Sequence, residues 1–140
     1  MTMGRLVYPI GAAFLYAILI ATGCMSGPPK HIVKGRITYE GKPMTVKAMV
    51  GKVLVKFIEQ DVPPPVDPKF AKVDDDGNFE VRADGNGIVA GKYKICVEWY
   101  DEFGNTPDKL EGKVNEKNST IYRKVPDDGV LEIDVSKPGG

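Results

Sequence analysis

The sequence predicts an all-β domain, and three observations lead to that prediction. Apolar and polar residues alternate with a period of two in several short segments, which is typical of strands with one buried face. The 140-residue chain contains 16 Gly and 11 Pro, so turns should be frequent. No long helical pattern appears after the first 23 residues. The expected architecture is a single antiparallel β-sandwich of about seven strands, preceded by an N-terminal signal segment.

The first half of the predicted domain contains two strands and a proline-rich loop. The segment HIVKGRITYE (31–40) alternates between apolar and polar residues and runs into the turn EGKP. In GKVLVKFIEQ (51–60), the apolar side chains fall on one face and the lysines fall on the other. The segment DVPPPVDPKF (61–70) contains four prolines, which have no amide proton for an interior ladder, so we expect a loop or a sheet edge here.

A hairpin and one long strand come next. The segments FAKVD (70–74) and NFEVRA (78–83) flank the turn sequence DDDGN, and the second of them should direct its Phe, Val and Ala toward the core. The segment VAGKYKICVEWY (89–100) is the longest strand candidate and contains the only Trp of the chain. Alternation places this Trp among the core residues.

The last third of the chain combines a loop with two further strands. Residues 101–118 are polar and show no periodicity, which predicts a long loop. The segments TIYRKV (120–125) and VLEIDVS (130–136) then complete the set of strands. In the long strand before this loop, Cys96 falls on the face opposite to Trp99, which could leave its thiol partly exposed, although a packed and inert thiol is the favoured interpretation.

Residues 1–23 have the layout of a secretory signal peptide. The single basic residue Arg5 precedes an uncharged apolar run from Leu6 to Thr22, which ends in small residues. A permanent membrane helix is the alternative, because the run reaches the lower limit of roughly 17 residues for crossing a bilayer. Pro9 and Gly11 interrupt the run, and no cluster of Lys or Arg follows it, so a cleaved signal is the favoured interpretation.

The end of this run resembles the lipobox of bacterial lipoproteins, in which small residues precede a cysteine that becomes N-terminal and carries lipid. In IATGC, Gly23 and Thr22 fit this pattern, whereas Ala21 departs from the usual Leu, Val or Ile. The resemblance implies lipidation of Cys24. A terminal cysteine with several acyl chains meets the requirement for stable membrane anchoring.

Lipidation would make the protein an exported lipoprotein on the periplasmic or cell-surface face of a membrane. Residues 24–30 contain Pro and Gly and are expected to form a flexible tether. In a cell with two membranes, Met25 is not the Asp that is associated with retention in the inner membrane of some bacteria. This residue therefore favours the outer membrane.

Motifs in the remaining chain occur in the order found in a known family. The stretches VKGRITYEGKPM, KVDDDGNFEV and VAGKYKICVEW resemble the carboxypeptidase regulatory-like, or transthyretin-like, domain of short bacterial envelope lipoproteins. The resemblance covers residues 33–135, although the link MTVKAMVGK is longer than usual. It implies a transthyretin-like (prealbumin-like, immunoglobulin-like) β-sandwich over residues 31–136 and a C-terminal tail over 137–140. The matching residues are Gly35, Ile37, Thr38, Tyr39, Gly41, Lys42, Pro43, Asp74, Asp76, Gly77, Phe79, Ala90, Gly91, Tyr93 and Ile95.

The composition argues against several classes of function. With 19 basic and 19 acidic residues, the chain has no basic footprint for nucleic acid. The only histidine, His31, lies at the domain edge, so one chain cannot build a His-based zinc site and has no marked Ser-His-Asp arrangement. We therefore predict no enzymatic activity. Cys24 and Cys96 could form a disulfide after export, but lipidation of Cys24 would leave Cys96 as a lone, packed thiol.

Two groups of residues are candidates for binding. Asp74, Asp76 and Asn78 offer the oxygen ligands that calcium prefers, although the same residue types are also common in tight turns. Calcium is the only cofactor that the sequence suggests. The aromatic residues Tyr100, Phe103 and Tyr122 could stack on sugar rings or could instead pack at the rim of the core.

These observations predict a non-enzymatic, lipid-anchored protein of the cell envelope that presents a β-sandwich for interaction with a protein or a surface glycan. The alternatives are a structural spacer without a ligand and a calcium- or carbohydrate-binding module. The expected partners are the membrane, through the lipid on Cys24, and an unidentified envelope protein or glycan. Fold-level resemblance supplies neither the ligand nor the oligomeric state.

Overall fold

The computed structural model describes residues 27–46, 49–127, 129–137 and 139. The signal segment and Cys24 lie outside these residues, and what was expected of them stays a prediction. The described residues contain no helix, and therefore none that could span a membrane. Their strands are β1 (Lys30–His31), β2 (Val33–Tyr39), β3 (Lys42–Pro43), β4 (Lys52–Glu59), β5 (Lys69–Val73), β6 (Asn78–Val81), β7 (Ile88–Val89), β8 (Gly91–Tyr100), β9 (Ile121–Val125) and β10 (Leu131–Asp134).

Alternating burial explains why these segments form strands. In β4, Val53, Val55 and Phe57 are buried while the intervening residues are partly open to solvent. Residues 93–100 of β8 pair with the whole length of β4, and they bury Tyr93 and Ile95 on the same side of the sheet. A register shift of one residue would move all of these side chains to the exposed face. Each of them contributes roughly 1.5–3 kcal/mol when buried, so the observed register is strongly favoured. The all-β prediction is confirmed.

Seven strands form a continuous sheet in the order β10-β2-β6-β5-β4-β8-β9. Strand β5 joins its two halves, because residues 69–71 pair with β4 whereas Lys72 and Val73 pair with β6. The short β3 pairs with the end of β2, and β1 and β7 form a separate two-stranded ribbon. A strand that changes partners in this way is a device for turning a corner between two packed layers.

The sheet curls until its two halves face each other. In a flat sheet, β2 and β8 would lie roughly 19 Å apart, since they are separated by four strand spacings of about 4.8 Å. The rings of Tyr39 on β2 and Trp99 on β8 are nevertheless 6.0 Å apart, and those of Phe57 and Phe79 are 5.9 Å apart. The shared core lies between the halves and consists of Val33, Ile37, Met44, Val53, Val55, Phe57, Phe79, Val81, Ile88, Tyr93, Ile95, Val97, Leu110, Val114, Ile121, Val125, Leu131, Ile133 and Val135.

One strand pair departs from the predicted antiparallel arrangement. Strand β10 runs parallel to β2, with Leu131 opposite Gly35 and Asp134 opposite Thr38. The physical reason is that the curled sheet has seven strands, which is an odd number. Strands β2 to β9 alternate strictly in direction, and β10 runs opposite to β9. Strand β10 must therefore run parallel to β2. The antiparallel prediction is therefore correct for the other pairs of the sheet and wrong for this one.

The predicted inward position of Ala83 is wrong. Strand β6 ends at Val81, and Ala83 is exposed with a positive φ of 45°. The carbonyl of Arg82 accepts hydrogen bonds from the amides of Gly85 and Gly87, both at 2.8 Å. This turn reverses the chain into the ribbon before the alternation of β6 can extend to residue 83.

The polar segment 101–118 forms turns and extends the sheet edge. Strand β9 pairs with β8 only as far as Ile95, and the next groups on that edge are satisfied by this segment. The amide of Val97 donates to the carbonyl of Val114 at 2.8 Å, and the amide of Lys109 donates to the carbonyl of Trp99 at 2.8 Å. The predicted absence of a strand is confirmed for this segment. Its edge role and its two buried residues, Leu110 and Val114, did not follow from composition.

Candidate functional site

Four aromatic side chains surround the end of β8. We call this surface the aromatic end and define it as Tyr39, Trp99, Tyr100 and Phe103. Tyr39 closes β2, Trp99 and Tyr100 close β8, and Phe103 lies in the segment that follows. Because successive residues of a strand point to opposite faces, Trp99 points toward the inner side and Tyr100 toward the outer side. The aromatic end therefore wraps around the sheet margin.

Ring contacts and hydrogen bonds hold these side chains in place. Tyr100 and Phe103 meet edge to face, with ring centroids 5.6 Å apart and an interplanar angle of 85°. The amide of Phe103 donates to the carbonyl of Val50 at 2.7 Å, and Nε1 of Trp99 donates to the carbonyl of Thr45 at 3.1 Å. Phe103 is nevertheless 53% exposed and Tyr39 is 37% exposed, so these two rings are accessible, whereas Trp99 and Tyr100 are half-buried.

Two lysines lie over the rings of the aromatic end. The Nζ atom of Lys109 is 4.1 Å from the ring centroid of Trp99, and it also pairs with Asp101 at 3.0 Å. The Nζ atom of Lys52 is 4.7 Å from the ring centroid of Phe103. Cation–π contacts of this kind contribute roughly 0.5–1 kcal/mol at exposed sites.

The predicted sugar-stacking residues do not form one surface. Tyr100 and Phe103 lie together in the aromatic end, whereas Tyr122 on β9 does not. Tyr122 lies opposite Lys94, which precedes Tyr100 by six residues on β8. Six residues of strand correspond to about 20 Å. Tyr39 was not among the predicted residues, because its packing on Trp99 depends on the curl of the sheet and not on alternation along β2. Trp99, expected in the core, is only half-buried because it lies at the last inward position of β8.

The aromatic end lies opposite the entry of the N-terminal segment. Val33 opens β2 and pairs with Val81, and the preceding ribbon joins Lys30 to Val89 just before β8 begins. Tyr39 closes the same strand six residues after Val33, which places it about 20 Å away along the sheet. A tether that leaves the domain at residue 30 therefore leaves from the margin farthest from the aromatic rings.

The three predicted calcium ligands form a closed turn between β5 and β6. The Oδ1 atom of Asp74 accepts hydrogen bonds from the amides of Asp76 at 3.0 Å and Asn78 at 2.8 Å, and its Oδ2 atom accepts one from the Asn78 amide group at 3.1 Å. These bonds lower the pKa of Asp74, and the bond from the Asn78 side chain has the largest effect. Within the described ranges, no group of three or more His, Cys, Asp or Glu side chains is arranged to hold a metal ion.

Replacement of Asp74 by alanine is expected to lower the free energy of unfolding by about 1 kcal/mol, because the turn loses three exposed hydrogen bonds. The pKa of Asp74 lies below 3.8 in the folded state, so its contribution is complete above pH 3.8 and is lost as the pH falls below that value. Urea unfolding at pH 7 and at low pH measures both effects, and Asp75→Ala is the matched control.

A calcium-binding turn predicts a different result from the same proteins. Millimolar calcium would raise the melting temperature of the wild type, and the rise would disappear in Asp74→Ala and Asp76→Ala. The absence of any rise in the wild type would end the calcium hypothesis.

Cys96 lies on the outer face of β8, as alternation requires, but is only 1% exposed. The favoured prediction of a packed thiol is therefore confirmed, and the alternative of partial exposure is wrong. The long side chain of Lys56 crosses this face to reach Glu98 at 3.5 Å and Glu116 at 2.9 Å, and Lys94 donates to the carbonyl of Glu116 at 2.6 Å. The stems of such side chains exclude water from a small neighbour. Burial raises the pKa of the Cys96 thiol to about 11.

The Cys96 thiol is expected to be unreactive in the folded protein. With a pKa of about 11, only about a thousandth of it is thiolate at pH 8, and burial blocks access as well. Alkylation of the full-length Cys24→Ser variant should be at least about 100-fold slower in buffer than in guanidinium chloride. Equal rates in both solutions would contradict the buried position.

Ser119, the one buried polar residue among those described, has a structural role. Its hydroxyl donates a short hydrogen bond to the carbonyl of Ile95 and accepts one from the amide of Ile121 at 3.3 Å. His31 is in the two-stranded ribbon, where it pairs with Ile88. The hydroxyl of Ser119 is thus hydrogen-bonded to the backbone of β8 and β9.

Comparison of the chain with family models, curated proteins and solved structures gave no match.

Proposed function

We propose that this protein is a non-enzymatic, lipid-anchored component of the cell envelope that binds an envelope protein or a surface glycan through the aromatic end. One observation carries the proposal: accessible aromatic rings lie at the sheet margin opposite the point where the tether enters the domain. With an anchor at Cys24, this margin is the part of the domain that can extend farthest from the membrane. Aromatic residues are enriched at interfaces because they bury a large area at low cost in side-chain entropy.

The resemblance to the carboxypeptidase regulatory-like domain of envelope lipoproteins supports the proposed location in the cell envelope. Three of its motif glycines lie where the backbone needs them. Gly41 and Gly77 have φ values of 74° and 80° in the turns after β2 and before β6, conformations that favour glycine. Gly35 allows close approach of the Phe79 ring and the Leu131 carbonyl. Two facing halves of a curled sheet are also compatible with the transthyretin-like β-sandwich that the resemblance implies.

Photo-crosslinking in intact cells tests the proposal. A benzophenone amino acid replaces Phe103 in the aromatic end, and in a matched control it replaces Val130, which is 63% exposed near the opposite margin. A specific adduct from position 103 that is absent from position 130 would support a partner at the aromatic end. Diffuse adducts of equal yield from both positions would contradict it and would favour a structural spacer.

A further inference from the structure

An open groove lies over the paired strands β8 and β9, near the start of β8 and away from the aromatic end. It has a volume of about 320 Å³ and is lined by Asp61, Gly91, Lys92, Tyr122, Arg123 and Lys124. Arg123 is engaged elsewhere, since its guanidinium donates to the carbonyl of Gly139 at 2.7 Å. Tyr122 and the two lysines supply the outward-facing side chains of this groove.

Two lysines of this groove are direct partners in the β8–β9 ladder. Lys92 on β8 pairs directly with Lys124 on β9, and both are exposed. Among the ion pairs formed by the described residues, none involves either ammonium group. Like charges directly opposite each other destabilise a strand pair, because their side chains start only about 5 Å apart. A bound anion between them would remove this repulsion.

An aromatic ring forms one side of the same groove. Tyr122 is 41% exposed, and the Nζ atom of Lys92 lies 4.9 Å from its ring centroid. A flat, partly exposed ring beside two cations suits a ligand that has both a ring-shaped apolar face and a negative charge. The groove is also large enough for one sugar unit.

Asp61 favours a ligand that carries hydroxyl groups as well as a negative charge. It lines the groove, and its carboxylate would repel any negative group placed directly beside it. A carboxylate is, however, a strong acceptor for hydroxyl groups. A ligand with one acidic group, several hydroxyls and a ring-shaped apolar face matches all of these side chains.

We propose that this groove binds an acidic sugar unit of an anionic polysaccharide, with the sugar carboxylate between Lys92 and Lys124. When the Lys92 ammonium turns from the Tyr122 ring to the sugar carboxylate, that ring is free to stack on the sugar ring, and Asp61 accepts hydrogen bonds from the hydroxyls. This binding is independent of the aromatic end, which lies about 20 Å away along β8. Failure of either proposal therefore leaves the other intact.

Calorimetric titration of the full-length protein in neutral detergent tests the proposal. The probes are oligosaccharides of galacturonic, glucuronic and mannuronic acid, each paired with its uncharged methyl ester. We expect at least one acidic oligosaccharide to bind about tenfold or more tightly than its ester, and the Lys92→Gln/Lys124→Gln variant to lose this preference. Lys34→Gln/Lys72→Gln is the matched control, since it removes the same charge from the exposed side chains beside Glu80. It should bind like the wild type.

A charge reversal separates binding from folding. Lys124→Glu places an acid opposite Lys92, so we expect a higher melting temperature together with loss of acidic-sugar binding. The proposal is overturned if no acidic oligosaccharide binds better than its ester or if the control variant loses affinity equally. It is also overturned if only vesicles of phosphatidylcholine and phosphatidylglycerol bind in a Lys92- and Lys124-dependent way.

Discussion

Replacement of Gly35 by alanine is expected to lower the free energy of unfolding by about 3 kcal/mol or more, since overpacking of this severity disrupts a well-packed core. A Cβ atom at this position would collide with the Phe79 ring and with the backbone carbonyl of Leu131. The ring has little room to move, because it packs against Phe57 at 5.9 Å. The carbonyl belongs to β10, so the substitution also pushes apart the parallel pair that completes the curled sheet.

Chemical unfolding of Gly35→Ala beside Gly129→Ala measures this effect. No atom lies within 4 Å of a Cβ built on Gly129, so its replacement should change stability by less than about 1 kcal/mol. A similar, small change in both variants would show that β2 and β10 do not approach each other as described.

Replacement of Asp108 by alanine is expected to cost about 3 kcal/mol, because three amides lose a charged acceptor in a partly buried position. Oδ1 of Asp108 accepts from the amides of Trp99 at 2.8 Å and Leu110 at 3.1 Å, and Oδ2 accepts from the amide of Gly112 at 2.9 Å. These bonds attach the segment 101–118 to the β8 edge. Hydrogen exchange at the three amides should accelerate together in the variant.

Asp108→Asn provides the control for this prediction. An asparagine keeps one carbonyl acceptor in the same place, so it should retain the bonds of Oδ1 and lose only the bond to Gly112. A stability loss that is equal in the Ala and Asn variants would indicate that the charge, and not the attachment of the loop, stabilises this edge.

The strands could be predicted from sequence because the sheet has one buried face. In β4 and β8 a period of two is visible over most of each strand. The residues that this period assigned to the core are buried, namely Val53, Val55 and Phe57 in β4 and Tyr93, Ile95 and Val97 in β8. The parallel pair could not be predicted, because β10 alternates in the same way whichever strand lies beside it. Its direction depends on the curl of the whole sheet, which is a property of the five other pairings along it.

The candidate site was only partly predictable for a related reason. Alternation states which face a residue occupies, but not what covers that face. Cys96 is buried by long charged side chains that cross from β4 and from the segment 101–118. Tyr39 belongs to the aromatic end because the curl brings β2 to β8, and the like-charged Lys92–Lys124 pair exists only in the register of β8 with β9.

The attachment of the chain to a membrane is the premise of the proposed function and is tested most directly by the mass of the N-terminal peptide from native membranes. We expect a peptide that begins at Cys24 and carries a diacylglycerol on sulfur and an acyl chain on the amino group. Such a peptide would place the domain in the envelope and rule out a disulfide between Cys24 and Cys96. A peptide that retains residues 1–23, or one that is cleaved but carries no lipid, would contradict the lipid anchor.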